Sequence, residues 1–158
     1  EKDVEAIARK YCRKEQVFFI GRGVDSGVSY EGSLKLKEIS YINSFAIAAG
    51  ELKHGTIALI EEGTLVFALA TQDFLFEKML SNIQEIKARG ANVVGIAKEG
   101  NREIEKQSSE VIYIPSCMDE VTPLLSVVPL QLFAYYVAKF RGCNIDKPKN
   151  LAKSVTVE

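Results

Sequence analysis

The chain has 158 residues, 47% hydrophobic and 26% charged, with a net charge of −1 and a pI near 6.0. That is the length of one ordinary domain, with enough apolar residues to build a core. The balanced charge excludes the basic surplus of a nucleic-acid or anionic-membrane binder, and the apolar runs read as far shorter than a membrane span.

The opening residues, "EKDVEAIARKYCRKEQ", are charged and amphipathic, unlike a signal peptide, and the chain does not begin with Met. The expectation is a piece of a longer polypeptide. Val4, Ile7, Ala8 and Tyr11 recur at three and four and predict a helix over 3–14. "QVFFIG" (16–21) predicts a buried strand that ends on a glycine. "GRGVDSG" (21–27) predicts a tight turn, with a helix from about Ser26 to Tyr41. It lacks the third glycine of a dinucleotide fingerprint; a phosphate cradle at the helix start remains open beside the plainer use as a turn.

"SFAIAAG" (44–50) predicts a short strand and 51–60 a second helix-like segment. "TLVFALA" (64–70) predicts a continuous apolar strand, and 73–89 an amphipathic helix that stops before Gly90. "NVVGIA" (92–97) and "VIYIP" (111–115) predict two further strands, with a short charged helix near 100–107 between them. Residues 121–141 predict a long helix, apolar on more than one side, which suggests contact with another domain or subunit. "CNIDKPKNLAKSVTVE" (143–158) has no helical period and predicts an extended tail. Strands alternating with helices, and apolar along their whole length, predict a three-layer αβα sandwich on a parallel sheet of about five strands. In such sheets ligands sit beyond the carboxyl ends of the strands. Gly21 and Gly50, just before the charged segments, point to one edge.

Five residues are candidates for chemistry. Glu31, Lys35 and Glu38 fall within a helical face about 60° wide. On spacing alone they make an exposed Glu–Lys pair worth ~0.2–0.5 kcal/mol plus one more carboxylate. Leu34 and Ile42 are expected on the same side, so that the charges border apolar surface, where a carboxylate could be tuned for proton transfer. His54, the single histidine, stands in "GELKHG", where flanking glycines suggest close packing or a ligand. Lys153 by pattern is a solvated tail lysine. It would matter only if the tail folded into a site, where it could form a Schiff base. Cys12, Cys117 and Cys143 are widely spaced without a CxxC, which fits a reduced cytosolic protein better than a disulfide scaffold or a zinc site.

Two segments carry a resemblance. "SYEGSLKLKEISYINSFAIAAGELKHG" (29–55) and "KPKNLAKSVTVE" (147–158) resemble, in order and spacing, the second sugar-isomerase (SIS) domain and tail of the glutamine–fructose-6-phosphate aminotransferase family. The resemblance covers essentially the whole chain, as a SIS domain over 1–141 and a tail over 142–158 that contributes to the active site. It implies a cytoplasmic enzyme half that makes glucosamine 6-phosphate from fructose 6-phosphate and glutamine-derived ammonia, without metal or organic cofactor. It implies Glu38 as the base between C1 and C2, Lys35 as its aid, and Glu31 as a carboxylate near the ring oxygen. His54 would open the ring from the neighbouring subunit of a homodimer, Lys153 would form the Schiff base, and Ala152 would contact the sugar through its backbone. Its partners would be the upstream SIS and glutaminase domains, with no nucleic acid and no membrane. The loop "TQDF" (71–74) departs from the family's Ser/Thr-rich phosphate loop, so the main phosphate clamp is expected elsewhere. A SIS-type ketosamine-phosphate deglycase and a non-catalytic sugar-phosphate sensor are the alternatives. The "NLAKSVTVE" end weighs against the first, and the lack of a basic recognition helix against the second.

Overall fold

The computed structural model describes residues 2–151. In chain order it has α1 (Lys2–Tyr11), β1 (Gln16–Gly21), α2 (Val24–Ser40), β2 (Asn43–Ala48), β3 (Leu65–Leu69), α3 (Phe76–Lys87), β4 (Asn92–Lys98), α4 (Glu103–Gln107), β5 (Glu110–Ile114) and α5 (Thr122–Phe140). The five strands are all parallel and ordered β2-β1-β3-β4-β5, with Phe19 of β1 in register with Ala46 of β2 and with Phe67 of β3. The expected three-layer sandwich is the observed one.

The strands are apolar throughout because both faces are covered. Their period of two sorts each run onto two cores. Val17, Phe19, Leu65, Phe67, Val94 and Ile96 face α1, α2 and α5. Phe18, Ile20, Val66, Ala68, Val93 and Ala97 face α3 and α4. On the first face Phe19 stacks on Phe67 at 5.1 Å and Phe67 meets Phe133 of α5 at 4.5 Å, which fixes α5 over the middle of the sheet.

Two glycines permit close approaches. A Cβ at Gly21 would lie 2.5 Å from the Asp25 backbone, so the β1–α2 turn closes only on glycine. A Cβ at Gly32 would lie 2.7 Å from a Leu130 methyl, so α2 lies close against α5.

Two predicted elements differ, and one exclusion drawn from composition is corrected. Residues 51–60 are not one helix but two 3-10 turns, Ala49–His54 and Thr56–Leu59, broken at Gly55 with φ 155. The helix predicted from 73 starts as a 3-10 turn, Asp73–Leu75, and becomes α-helical at Phe76, which leaves Phe74 exposed. α5 proves long and apolar enough, at 19 residues with mean hydropathy 1.3, to meet the length and composition of a membrane span. In the fold it is a core helix: Leu130, Phe133, Ala134 and Val137 are buried among α1, α2 and the sheet.

Candidate active site

The core-facing positions of α2, Val28, Gly32 and Leu36, repeat every four residues. That stripe turns Glu31, Lys35 and Glu38 to the flank, where all three are half-buried. Lys35 Nζ donates to Glu38 Oε2 at 2.7 Å and lies 3.8 Å from Glu31 Oε1. The hydrogen bond to Glu38 raises the Lys35 pKa above its ordinary value; burial works against this and the Glu31 carboxylate adds to it. The structure thus brings the three predicted residues into one cluster centred on a charged ammonium.

Glu38 also borders an open cavity of about 320 Å³ lined with Leu34, Tyr41, Lys149, Asn150 and Leu151. The C-terminal segment therefore lies beside the end of α2. Of the two apolar neighbours expected for the charges, Leu34 lines this cavity, but Ile42 does not. It begins the run into β2 and is buried in the core at 1% exposure. The helical period ends at Ser40, so continuing it to Ile42 placed that residue wrongly.

His54 is exposed at the end of the first 3-10 turn, beyond the carboxyl end of β2. α2 runs from the carboxyl edge of the sheet to its amino edge, and β2 runs back. Six residues of strand span ~20 Å. Glu38 and His54 of one chain therefore stand near opposite edges, and the single edge expected for all four charged residues is not what the fold makes. The flanking glycines serve local needs. Gly50 packs against the Arg22 guanidinium, where a Cβ would lie 3.4 Å from its nearest nitrogen, and Gly55 supplies a positive φ with open space around it. Lys153 and Ala152 lie outside the described residues.

The carboxyl edge holds a polar network that the motif reading passed over. Asp25, on the first turn of α2 and buried, accepts from the Thr71 N–H at 2.8 Å and from the Thr71 hydroxyl at 2.5 Å. Burial pushes its carboxyl above the usual range, and the two Thr71 hydrogen bonds offset part of this. Lys98, at the end of β4 and 7% exposed, bridges Asp119 at 2.5 Å and Asp73 at 2.9 Å. Burial disfavours its charge, but the Asp119 and Asp73 carboxylates outweigh that and hold its pKa above the ordinary value. Gln72 donates to Thr122 at 2.6 Å and to the Asp119 carbonyl at 3.2 Å. The "TQDF" loop is thus spent on the protein's own side chains. Residues so far apart in sequence carry no local signal of this pairing.

All-parallel strands in the order β2-β1-β3-β4-β5, covered on both faces, define a doubly wound α/β domain. A family model described as the SIS domain matches residues 10–139, and the chain belongs to that family. It is 63% identical over 155 residues to the glutamine–fructose-6-phosphate aminotransferase [isomerizing] of Caldanaerobacter subterraneus subsp. tengcongensis, covering 98% of this chain and 26% of that protein. It is 59% identical over 155 residues to the protein of the same description from Clostridium tetani, with the same coverage. The chain spans about a quarter of the length of these curated relatives. Among solved structures, the C-terminal domain of glucosamine-fructose-6-phosphate aminotransferase from Francisella tularensis superposes with TM-score 0.84 at 34% identity. That match covers 92% of this chain and 41% of the other. A glucosamine-6-phosphate deaminase from Thermotoga maritima superposes with TM-score 0.72 at 29% identity, covering 98% and 46%.

Proposed function

We propose that this chain is the C-terminal isomerase half of a glutamine–fructose-6-phosphate aminotransferase acting in the cytosol. The whole enzyme would convert fructose 6-phosphate and glutamine-derived ammonia to glucosamine 6-phosphate. The observation that carries the reading is Glu38, held at 2.7 Å by the Lys35 ammonium and bordering a cavity shared with the C-terminal segment. The identity of 63% to a relative of that description supports it.

In this reading Glu38 takes the C1 proton of the fructosimine and returns it to C2. The electron pair of the C1–H bond moves into the C1–C2 bond while the C2=N pair moves onto nitrogen; as C2 is then protonated the C1 hydroxyl gives up its proton to form the aldehyde, and the Lys35 ammonium offsets the negative charge that gathers at the C1 oxygen. Glu31 stands near the ring oxygen, and Lys153 holds the open-chain ketose as a Schiff base with Ala152 beside it. His54 opens the ring from a partner subunit of a homodimer; its distance from its own Glu38 across the sheet supports a donor from outside the chain. Residues 1–141 act as the SIS unit and 142–158 as the tail of the site. The Lys98–Asp73–Asp119 network fills the strand ends, which fits a sugar phosphate held by the upstream SIS domain, with the glutaminase domain delivering ammonia.

The test is loss of the C2 proton of glucosamine 6-phosphate in heavy water, followed by proton NMR with the full-length enzyme. Glu38→Gln should slow it by about 10²- to 10⁴-fold. Full-rate exchange in that variant would remove Glu38 as the base. The 158-residue chain by itself should exchange weakly or not at all.

A further inference from the structure

We propose that Tyr41 is a positioning residue that docks the C-terminal segment onto the end of α2, beside Glu38. The inference rests on the isomerase reading and adds to it a residue outside the proton-transfer cluster. Tyr41 follows the last residue of α2 with φ 61 and ψ 17, and its N–H caps the Lys37 carbonyl at 3.2 Å. That left-handed position is one that glycine or asparagine fills most readily. A tyrosine there serves through its side chain.

The side chain has one evident use. Its Oη accepts the Lys149 N–H at 2.8 Å, and the Lys149 ammonium sits 4.7 Å from the ring centroid. Tyr41 also lines the cavity together with Glu38 and Leu151. Asn150, next after Lys149, has φ 63, so the chain turns just after it is gripped. Tyr41 and Asn150 are the only non-glycine residues with positive φ among the described residues, and both stand at this junction. A second contact lies upstream, where Cys143 Sγ approaches the Ser40 carbonyl at 3.9 Å. Lys153 is two residues beyond Leu151, a reach of at most about 7 Å of chain. The grip on Lys149 thus sets where the tail can go relative to Glu38.

The test uses the full-length enzyme with Tyr41→Phe and Tyr41→Gly. Tyr41→Phe keeps the ring and removes the acceptor; Tyr41→Gly suits the backbone and removes the whole anchor, so its fold should persist. Amide hydrogen exchange at Lys149 reads the grip, and isomerisation kinetics read its consequence. Tyr41→Phe should speed exchange at Lys149 and lower kcat by about three- to tenfold with KM within twofold. Tyr41→Gly should lower kcat further with the thermal midpoint preserved. Wild-type kcat despite faster Lys149 exchange, or unchanged exchange in both variants, would overturn the proposal. Glu38→Gln run alongside separates the two readings. If it turned over normally, the isomerase assignment would fall, while the amide exchange would still decide whether Tyr41 anchors the segment.

Discussion

Lys35 shows how one residue can matter to chemistry and little to folding. Its side chain is a third exposed and Glu38's about a quarter exposed, so the pair adds at most ~1 kcal/mol to stability. Its charge stands beside the carboxylate assigned to proton transfer. Lys35→Met should therefore slow isomerisation by about 10² or more while moving the urea midpoint little. The hydrogen bond that Lys35 donates to Glu38 raises the Lys35 pKa, so its charge is complete below the ordinary lysine value and lost only as pH rises through the raised one. A rate profile between pH 6 and 9 should show no limb belonging to Lys35, which comparison with Lys35→Met would check. At this scale the sequence was readable for Glu31, Lys35 and Glu38, because helical spacing alone puts them together. It was not readable for Lys98, whose carboxylate partners come from two other segments of the chain.

At the level of elements, the β1–α2 turn sets the start of the site helix. Gly21 leaves room for the Asp25 backbone, and Asp25 then ties α2 to Thr71 just after β3. Gly21→Ala would force backbone against backbone, since no flexible side chain can yield there. It should cost about 1–3 kcal/mol or more, seen as a lower urea midpoint at unchanged slope. The apolar strands were legible element by element, because their length and bounding glycines distinguish them from helices. The segment 49–59 was not. Its polar and apolar residues are compatible with a helix, and the break at Gly55 depends on a backbone angle that composition does not state.

Across the whole molecule, the Lys98 bridge joins the ends of β3 and β4 to the segment entering α5. Because the folded pKa of Lys98 is raised, the stability it contributes is full below the ordinary lysine value of about 10.4 and lost as pH rises through the folded one. Between pH 9 and 11 the thermal midpoint should fall further in the wild type than in Lys98→Met. Equal falls would show that the bridge contributes nothing. In the layer of α2 and α5, Leu124 and Val128 of α5 are 72% and 47% exposed, and Tyr30 and Leu34 of α2 are exposed as well. The chain enters this layer through α1, which packs beside α5, and the relatives are four times longer. In the proposed reading, the upstream SIS domain is the expected cover. Without it the 158-residue chain should self-associate in sedimentation velocity as concentration rises, and Leu124→Lys with Val128→Lys should return it to monomer. A monomer at all concentrations in the unaltered chain would refute this.

The sequence by itself determined the class of fold and the helical cluster, because both follow from local periodicity: apolar strands buried on two faces, and charges spaced three and four apart. Only the tertiary structure decided which edge each charged residue occupies. Parallel strands and their return helices run in opposite directions, so Glu38 and His54, sixteen positions apart in the sequence, end near opposite edges of the sheet. It also decided that the strand ends are filled by Lys98 and its carboxylates, and that Tyr41 meets Lys149. Those contacts join residues 21 to 108 positions apart, and no short-range pattern encodes them.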